Sequence, residues 1–63
     1  MIALEFIALT KTAAIRKATN YWYTNFYGVR SFLDFLGDCV LKKVDLNYSV
    51  IYRGPGPGDI DGY

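Results

Sequence analysis

The chain has no histidine and a single cysteine, Cys39, among 63 residues. The first lack removes the commonest general base and metal ligand. The second rules out a disulfide within the chain and leaves too few soft ligands for an ordinary structural zinc site. Net charge is only +1, so long-range electrostatic steering is weak. A lone thiol suits a reducing, intracellular compartment.

No apolar run is long and clean enough for a free transmembrane helix. The best window, 18–41, contains Arg30, Asp34 and Asp38, each costing about 2.5–3.5 kcal/mol at a bilayer centre. Arg30 and Asp34 stand four apart, so a larger membrane complex is the one setting that shelters them as a pair. The apolar start, Met1 to Leu9, has no basic residues before it and does not read as a cleavable signal.

What the chain has instead is rings. Eleven of its residues are aromatic, and seven of these fall between Tyr21 and Phe35. Apolar residues make up 52%, which argues against disorder. The length allows one small domain, expected over residues 1–53, with a flexible Gly/Pro tail over 54–63. A chain of this size buries only about 60% of its unfolded surface and is marginal alone.

The first segment alternates Ile2, Leu4, Phe6 and Ala8 with its neighbours, which favours a strand. The spacing Ile2, Phe6, Leu9, Ala13 is its helical competitor. Thr10 or Thr12 is placed to cap a helix, and Ile15, Ala18, Trp22, Phe26 and Val29 form a stripe at helical spacing. Gly28 predicts a stop or kink. Ser31, Asp34, Asp38 and Lys42 then mark a polar face opposite Phe32, Leu33, Phe35, Leu36, Cys39 and Val40, predicting a second helix over 30–43 despite Gly37. From Val44 to Arg53 the period becomes two, ending at Gly54, which predicts a strand. The fold expected is therefore α+β: a weak first strand, two helices broken near Gly28, and a final strand over 44–53. The alternative is a mostly helical chain with an extended C-terminal segment. A lone strand cannot satisfy its own backbone. It must pair with the first segment, through a right-handed crossover if parallel, or with another molecule.

Little in the sequence suggests catalysis. Cys39 has no activating base and reads as a small buried hydrophobe. Asp34 and Asp38 resemble an acid/base pair only superficially, since exposed carboxylates four apart are commonplace. Asp59 and Asp61 lack the ligand count of a calcium loop. The Gly-Pro-Gly-Pro-Gly run lacks the Gly-Lys-Ser/Thr ending and the N–H donors of a phosphate loop. The expectation is a protein that is not an enzyme, with no cofactor, metal or small-molecule substrate.

The rings carry the functional expectation. Tyr21, Trp22 and Tyr23 are consecutive, so on a helix they splay too widely for one small core to cover all three. Tyr, Trp and Arg dominate binding hot spots. Candidate partner-binding residues are Tyr21, Trp22, Tyr23 and Tyr27, with Arg16, Lys17 and Arg30 at the rim. The class expected is a small accessory subunit or inhibitor docking on a larger protein assembly, or on copies of itself, with strand addition as a second means of contact. A membrane surface is the alternative partner, with rings at headgroup depth. Single-stranded nucleic acid comes third, disfavoured by the modest positive charge.

Overall fold

The computed structural model describes residues 1–59. It is a mixed α+β domain with the order β1 (Ile2–Ala8), α1 (Lys11–Phe26), α2 (Phe32–Gly37), β2 (Cys39–Val44) and β3 (Asn47–Gly54), closed by a 3-10 turn at Pro57–Asp59. The three strands form one antiparallel sheet in the order β1-β3-β2. No described helix is long and apolar enough to cross a membrane.

Local chemistry sets the boundaries. The Thr10 hydroxyl accepts from the Ala13 N–H at 3.1 Å, satisfying a free donor at the start of α1. The helix ends where Gly28 adopts φ +79°, a left-handed position that glycine occupies without steric cost. Ser31 repeats the capping device for α2, its hydroxyl accepting from the Asp34 N–H.

The second helix is much shorter than the 30–43 span expected from its polar stripe. It stops at Gly37, and Cys39–Val44 is a strand. Gly37 disfavours helix continuation, while Val40 and Val44 favour an extended chain. The segment also gains a ladder of backbone hydrogen bonds against β3, which outweighs the helical periodicity of its side chains. The final strand shifts accordingly. Val44 belongs to β2 and faces Asn47, and Asp45 and Leu46 form the turn between them. Asp45 takes φ 56° at the first central position, which aspartate tolerates better than most residues. The right-handed parallel crossover does not occur. Inserting β2 makes β3 the central strand, antiparallel to both neighbours, with Leu4, Tyr52 and Cys39 in one row.

Both helices pack on one face of this sheet. Ala14 and Ala18 are fully buried on α1, and their small side chains let the helix lie close to the strands. Phe26, Phe35, Val50 and Tyr52 complete the buried apolar set. The Phe35 and Tyr52 rings stack at 4.4 Å, and Phe26 meets both at about 6 Å. Ile2, Leu4, Phe6 and Ala8 of β1 pack against this cluster, confirming the alternation read from the first segment. The other sheet face carries no layer of described residues. There the Ser49 hydroxyl donates to Glu5 across the strands at 2.6 Å.

Of the Gly/Pro tail expected over 54–63, Gly54 ends β3 and Gly56 is buried. The Gly56 N–H donates to the Asp59 carboxylate at 2.8 Å. Residues 60–63 lie outside the described residues.

A Cβ added to Gly54 would sit 2.7 Å from Asp38 Oδ2 and 2.9 Å from the Tyr52 hydroxyl oxygen. Gly54→Ala is therefore expected to destabilise the domain by about 1–3 kcal/mol, read as a lowered urea midpoint with an unchanged slope. A neutral substitution would show that this close approach does not constrain the fold.

Candidate functional site

The aromatic segment divides into an interior half and an outward half. Tyr21 turns inward. Its ring lies 5.6 Å from Phe6, 5.9 Å from Phe26 and 6.3 Å from Phe35. Trp22 lies on the boundary, half-buried. Its indole Nε1–H donates to the Arg30 carbonyl at 2.9 Å, which satisfies the one polar atom of the ring and fixes its orientation. Tyr23 and Tyr27 point outward and are 62% and 65% exposed.

The outward rings are joined. Tyr23 and Tyr27, one helical turn apart, approach to 4.9 Å. Trp22 meets Tyr27 edge-on at 5.8 Å and Phe32 at 5.2 Å. The result is a ledge of four rings along the end of α1 and the start of α2. Arg16 and Asn20 continue the solvent face of α1 at the spacing 16, 20, 23, 27, and all four positions are exposed. Leu33, on the neighbouring helix, is 79% exposed. Phe32 and Leu33 were read from the sequence as part of an apolar helical face and not as partner-binding residues. Phe32 was visible as a ring of the same cluster, but its place beside Trp22 depends on the turn at 27–31.

Two of the three cations expected at the rim are engaged elsewhere. Lys17 Nζ donates to the Ile7 carbonyl at 2.7 Å and ties α1 to β1. Arg30 is largely buried. One of its guanidinium nitrogens donates to the Tyr52 hydroxyl at 2.8 Å and another to Asp38 Oδ2 at 2.6 Å. Arg30 therefore pairs with Asp38 across the length of α2, and not with Asp34 on one helical face. Of the three, only Arg16 stands beside the rings without an internal partner among the described residues.

The Arg30 node is structural chemistry. Tyr52 is fully buried, and its hydroxyl donates to the Pro55 carbonyl at 2.5 Å while accepting from Arg30. Burial alone would lower the Arg30 pKa, but the hydrogen bond that Arg30 donates to Asp38 and the negative charge there reverse this and hold the guanidinium firmly protonated. Burial raises the Tyr52 phenol, an effect that the Arg30 charge opposes without cancelling. Cys39 is half-buried and its thiol donates to the Phe35 carbonyl at 3.3 Å. Burial raises the thiol pKa and the nearby Asp38 charge adds to this, which favours the protonated form. Asp34 and Asp38 do not share a helical face, since Asp38 follows the end of α2. Among the described residues no three His, Cys, Asp or Glu side chains converge as metal ligands. A shallow depression of about 150 Å³ lies on the open sheet face between Asp38, Val40, Lys42, Ile51 and Arg53, away from the ring ledge.

No family model matches the chain, and neither a curated protein nor a solved structure matches it.

The raised Tyr52 pKa has a definite consequence for stability. A phenol whose folded value exceeds its unfolded one contributes fully below the unfolded value, about 10, and loses that contribution as pH rises through the folded value. Followed by phenolate absorbance, one tyrosine is expected to ionise only with unfolding at high pH, and Tyr52→Phe should abolish that step. The same substitution leaves the Pro55 carbonyl without its donor and is expected to cost about 1–3 kcal/mol at neutral pH. Simultaneous ionisation of all the tyrosines in the folded state would contradict the assignment.

Proposed function

We propose that this chain is a non-catalytic interaction protein, an accessory subunit or inhibitor that docks on a larger protein through the ring ledge of α1 and α2. The observation that carries the reading is that Tyr23 and Tyr27 remain mostly exposed while packed ring against ring. Rings held in this way lose little conformational freedom on binding and bring large contact area with a polar tip. Trp22 supplies a semi-buried anchor whose N–H is already satisfied. Arg16 and Asn20 supply the polar rim. Tyr21 and Arg30, expected from sequence as contact residues, belong on this reading to the supporting structure behind the ledge.

A protein partner fits these features better than a membrane surface or a nucleic acid. Electrostatic attraction to phosphates needs free cations beside the rings, and Lys17 and Arg30 are already committed to internal oxygens. The chemistry of the described side chains supports no catalytic role: the one thiol is held protonated and the one ion pair inside the fold is saturated with structural hydrogen bonds.

The test separates contact from folding. Tyr23→Ala with Tyr27→Ala is expected to abolish affinity capture of the partner from the native source, while stability changes by only about 0.5 kcal/mol. Tyr21→Ala is expected to behave oppositely, losing about 2 kcal/mol or more of stability through the cavity it opens. Undiminished capture by the double variant would remove the ledge from any docking role.

A further inference from the structure

The ring ledge lies on the outer side of α1, and a helix surface is convex. Tyr23 and Tyr27 pack on each other and Trp22 packs edge-on against both, so the rings present faces and edges with no gap between them. That shape selects among the ways in which a peptide is recognised. A docking helix needs a groove for its apolar face. An added strand needs an unpaired sheet edge. A phosphorylated segment needs clustered cations, and Arg16 stands alone beside the rings. A chain terminus needs free backbone N–H groups, which the body of α1 lacks. What remains is the mode in which exposed rings receive a segment in the extended polyproline II conformation.

The polar groups of the ledge agree with that mode. Asn20, Tyr23 and Tyr27 are exposed, and none of the three side chains joins a hydrogen bond among the described residues. Each carries a donor. Most carboxylates are engaged elsewhere. Glu5 accepts from Ser49, Asp38 from Arg30 and Asp59 from Gly56, while Asp45 turns the hairpin between β2 and β3. Asp34, in the first turn of α2, is the one acid on the neighbouring helix. A complementary partner therefore brings acceptors and apolar faces and needs no positive charge. A polyproline II segment has both. It makes no internal hydrogen bonds, so its carbonyls stay free, and its rings are rigid and apolar. The lengths also agree. Asn20 and Tyr27 stand about 10 Å apart along the helix axis, and one turn of polyproline II rises about 9.3 Å. The stripe from Arg16 to Tyr27 covers about 16 Å, the length of about five such residues.

We propose that the ledge receives a proline-rich segment of the partner protein in the polyproline II conformation. Its proline rings lie on Tyr23, Tyr27 and Trp22, and its carbonyls accept from the two tyrosine hydroxyls and the Asn20 amide. This rests on the docking role proposed above and gives the chemistry of the partner. Trp22 contributes ring surface only, because its N–H already donates to the Arg30 carbonyl. The rings are held by one another before binding, and the ligand is preformed, so little conformational freedom is lost on either side. A second copy of this chain does not supply the segment from its own described prolines. The Pro55 carbonyl is taken by Tyr52, Gly56 is buried, and Pro57 starts the 3-10 turn.

The probe is a synthetic decaproline peptide, with a glycine-serine peptide of equal length as control. Titration is followed by Trp22 emission and by amide chemical shifts of the isotope-labelled chain. Saturable binding is expected with a dissociation constant below about 1 mM, with shifts centred on α1 and the start of α2 and none from the control peptide. Tyr23→Phe with Tyr27→Phe keeps both rings and removes both hydroxyls, and is expected to weaken binding about tenfold. Tyr23→Ala with Tyr27→Ala is expected to abolish it with the circular dichroism spectrum unchanged. Failure of decaproline to bind at millimolar concentration overturns the proposal. So do shifts that map to the open sheet face, or equal affinity in the double phenylalanine variant. The two proposals fail separately. Partner capture that is lost in the double alanine variant, with no decaproline binding to the unmodified chain, keeps the docking role and removes the proline-rich ligand. Decaproline binding together with undiminished capture does the reverse.

Discussion

Arg30 ties together the turn after α1, the start of β2 and the central strand. It leaves the turn after α1, reaches the hydroxyl of the central strand's Tyr52 and pairs with Asp38 at the start of β2. Tyr52 in turn donates to the Pro55 carbonyl and lays its ring on Phe35. One guanidinium thus fixes where the loop, the second helix, the hairpin and the chain after β3 lie relative to one another. Such a node is not a large source of net stability, because removing two charges from water offsets much of their attraction. Its effect is to penalise alternatives. Any arrangement that separates Arg30 from Asp38 or Tyr52 leaves a partly buried charge or a buried hydroxyl without a partner. Gly54 is the steric counterpart, leaving room for the carboxylate and the phenol to approach the strand.

The interior around that node is small. Among the described residues six apolar side chains are buried, and two of them are alanines. Rings supply most of the remaining volume, and they do so in an edge-to-face and stacked mesh that adds about 0.5–1.5 kcal/mol per pair beyond the area covered. The same economy explains the outward rings. Once Tyr21 has joined Phe6, Phe26 and Phe35, the helical rotation between successive residues carries Tyr23 to the opposite side of α1. Tyr23 and Tyr27 then pack on each other and on Trp22, as exposed surface with interior-like order. The proposed docking role arises from one limit: among the described residues two helices cover one face of a three-stranded sheet, and the rings that do not fit between them are left at the surface.

How much of this was legible in the residues varies by element. The first strand, a cap at Thr10 or Thr12, a stop or kink at Gly28 and the mixed α+β class were all visible, because each rests on a local signal. So was the surplus of rings over the room available to hide them. The second helix was misjudged in extent. Residues 30–43 satisfy a helical pattern of polar and apolar positions, and Gly37 was the only local sign of a break. Val40 to Val44 satisfies strand propensity as well, and a window that fits both periods is decided by what lies beside it.

By itself, then, the order of residues determined what could be buried, where the helices begin, and which residue types are lacking, since those follow from side-chain type and near-neighbour spacing. Only the tertiary structure decided that Tyr21 faces inward while Tyr23 and Tyr27 face outward, that Arg30 serves Tyr52 and Asp38, and that Cys39–Val44 is a strand. Each of those outcomes turns on contacts between residues far apart along the chain. The backbone of β3 needed a partner on each side, and the segment after Gly37 was the one within reach.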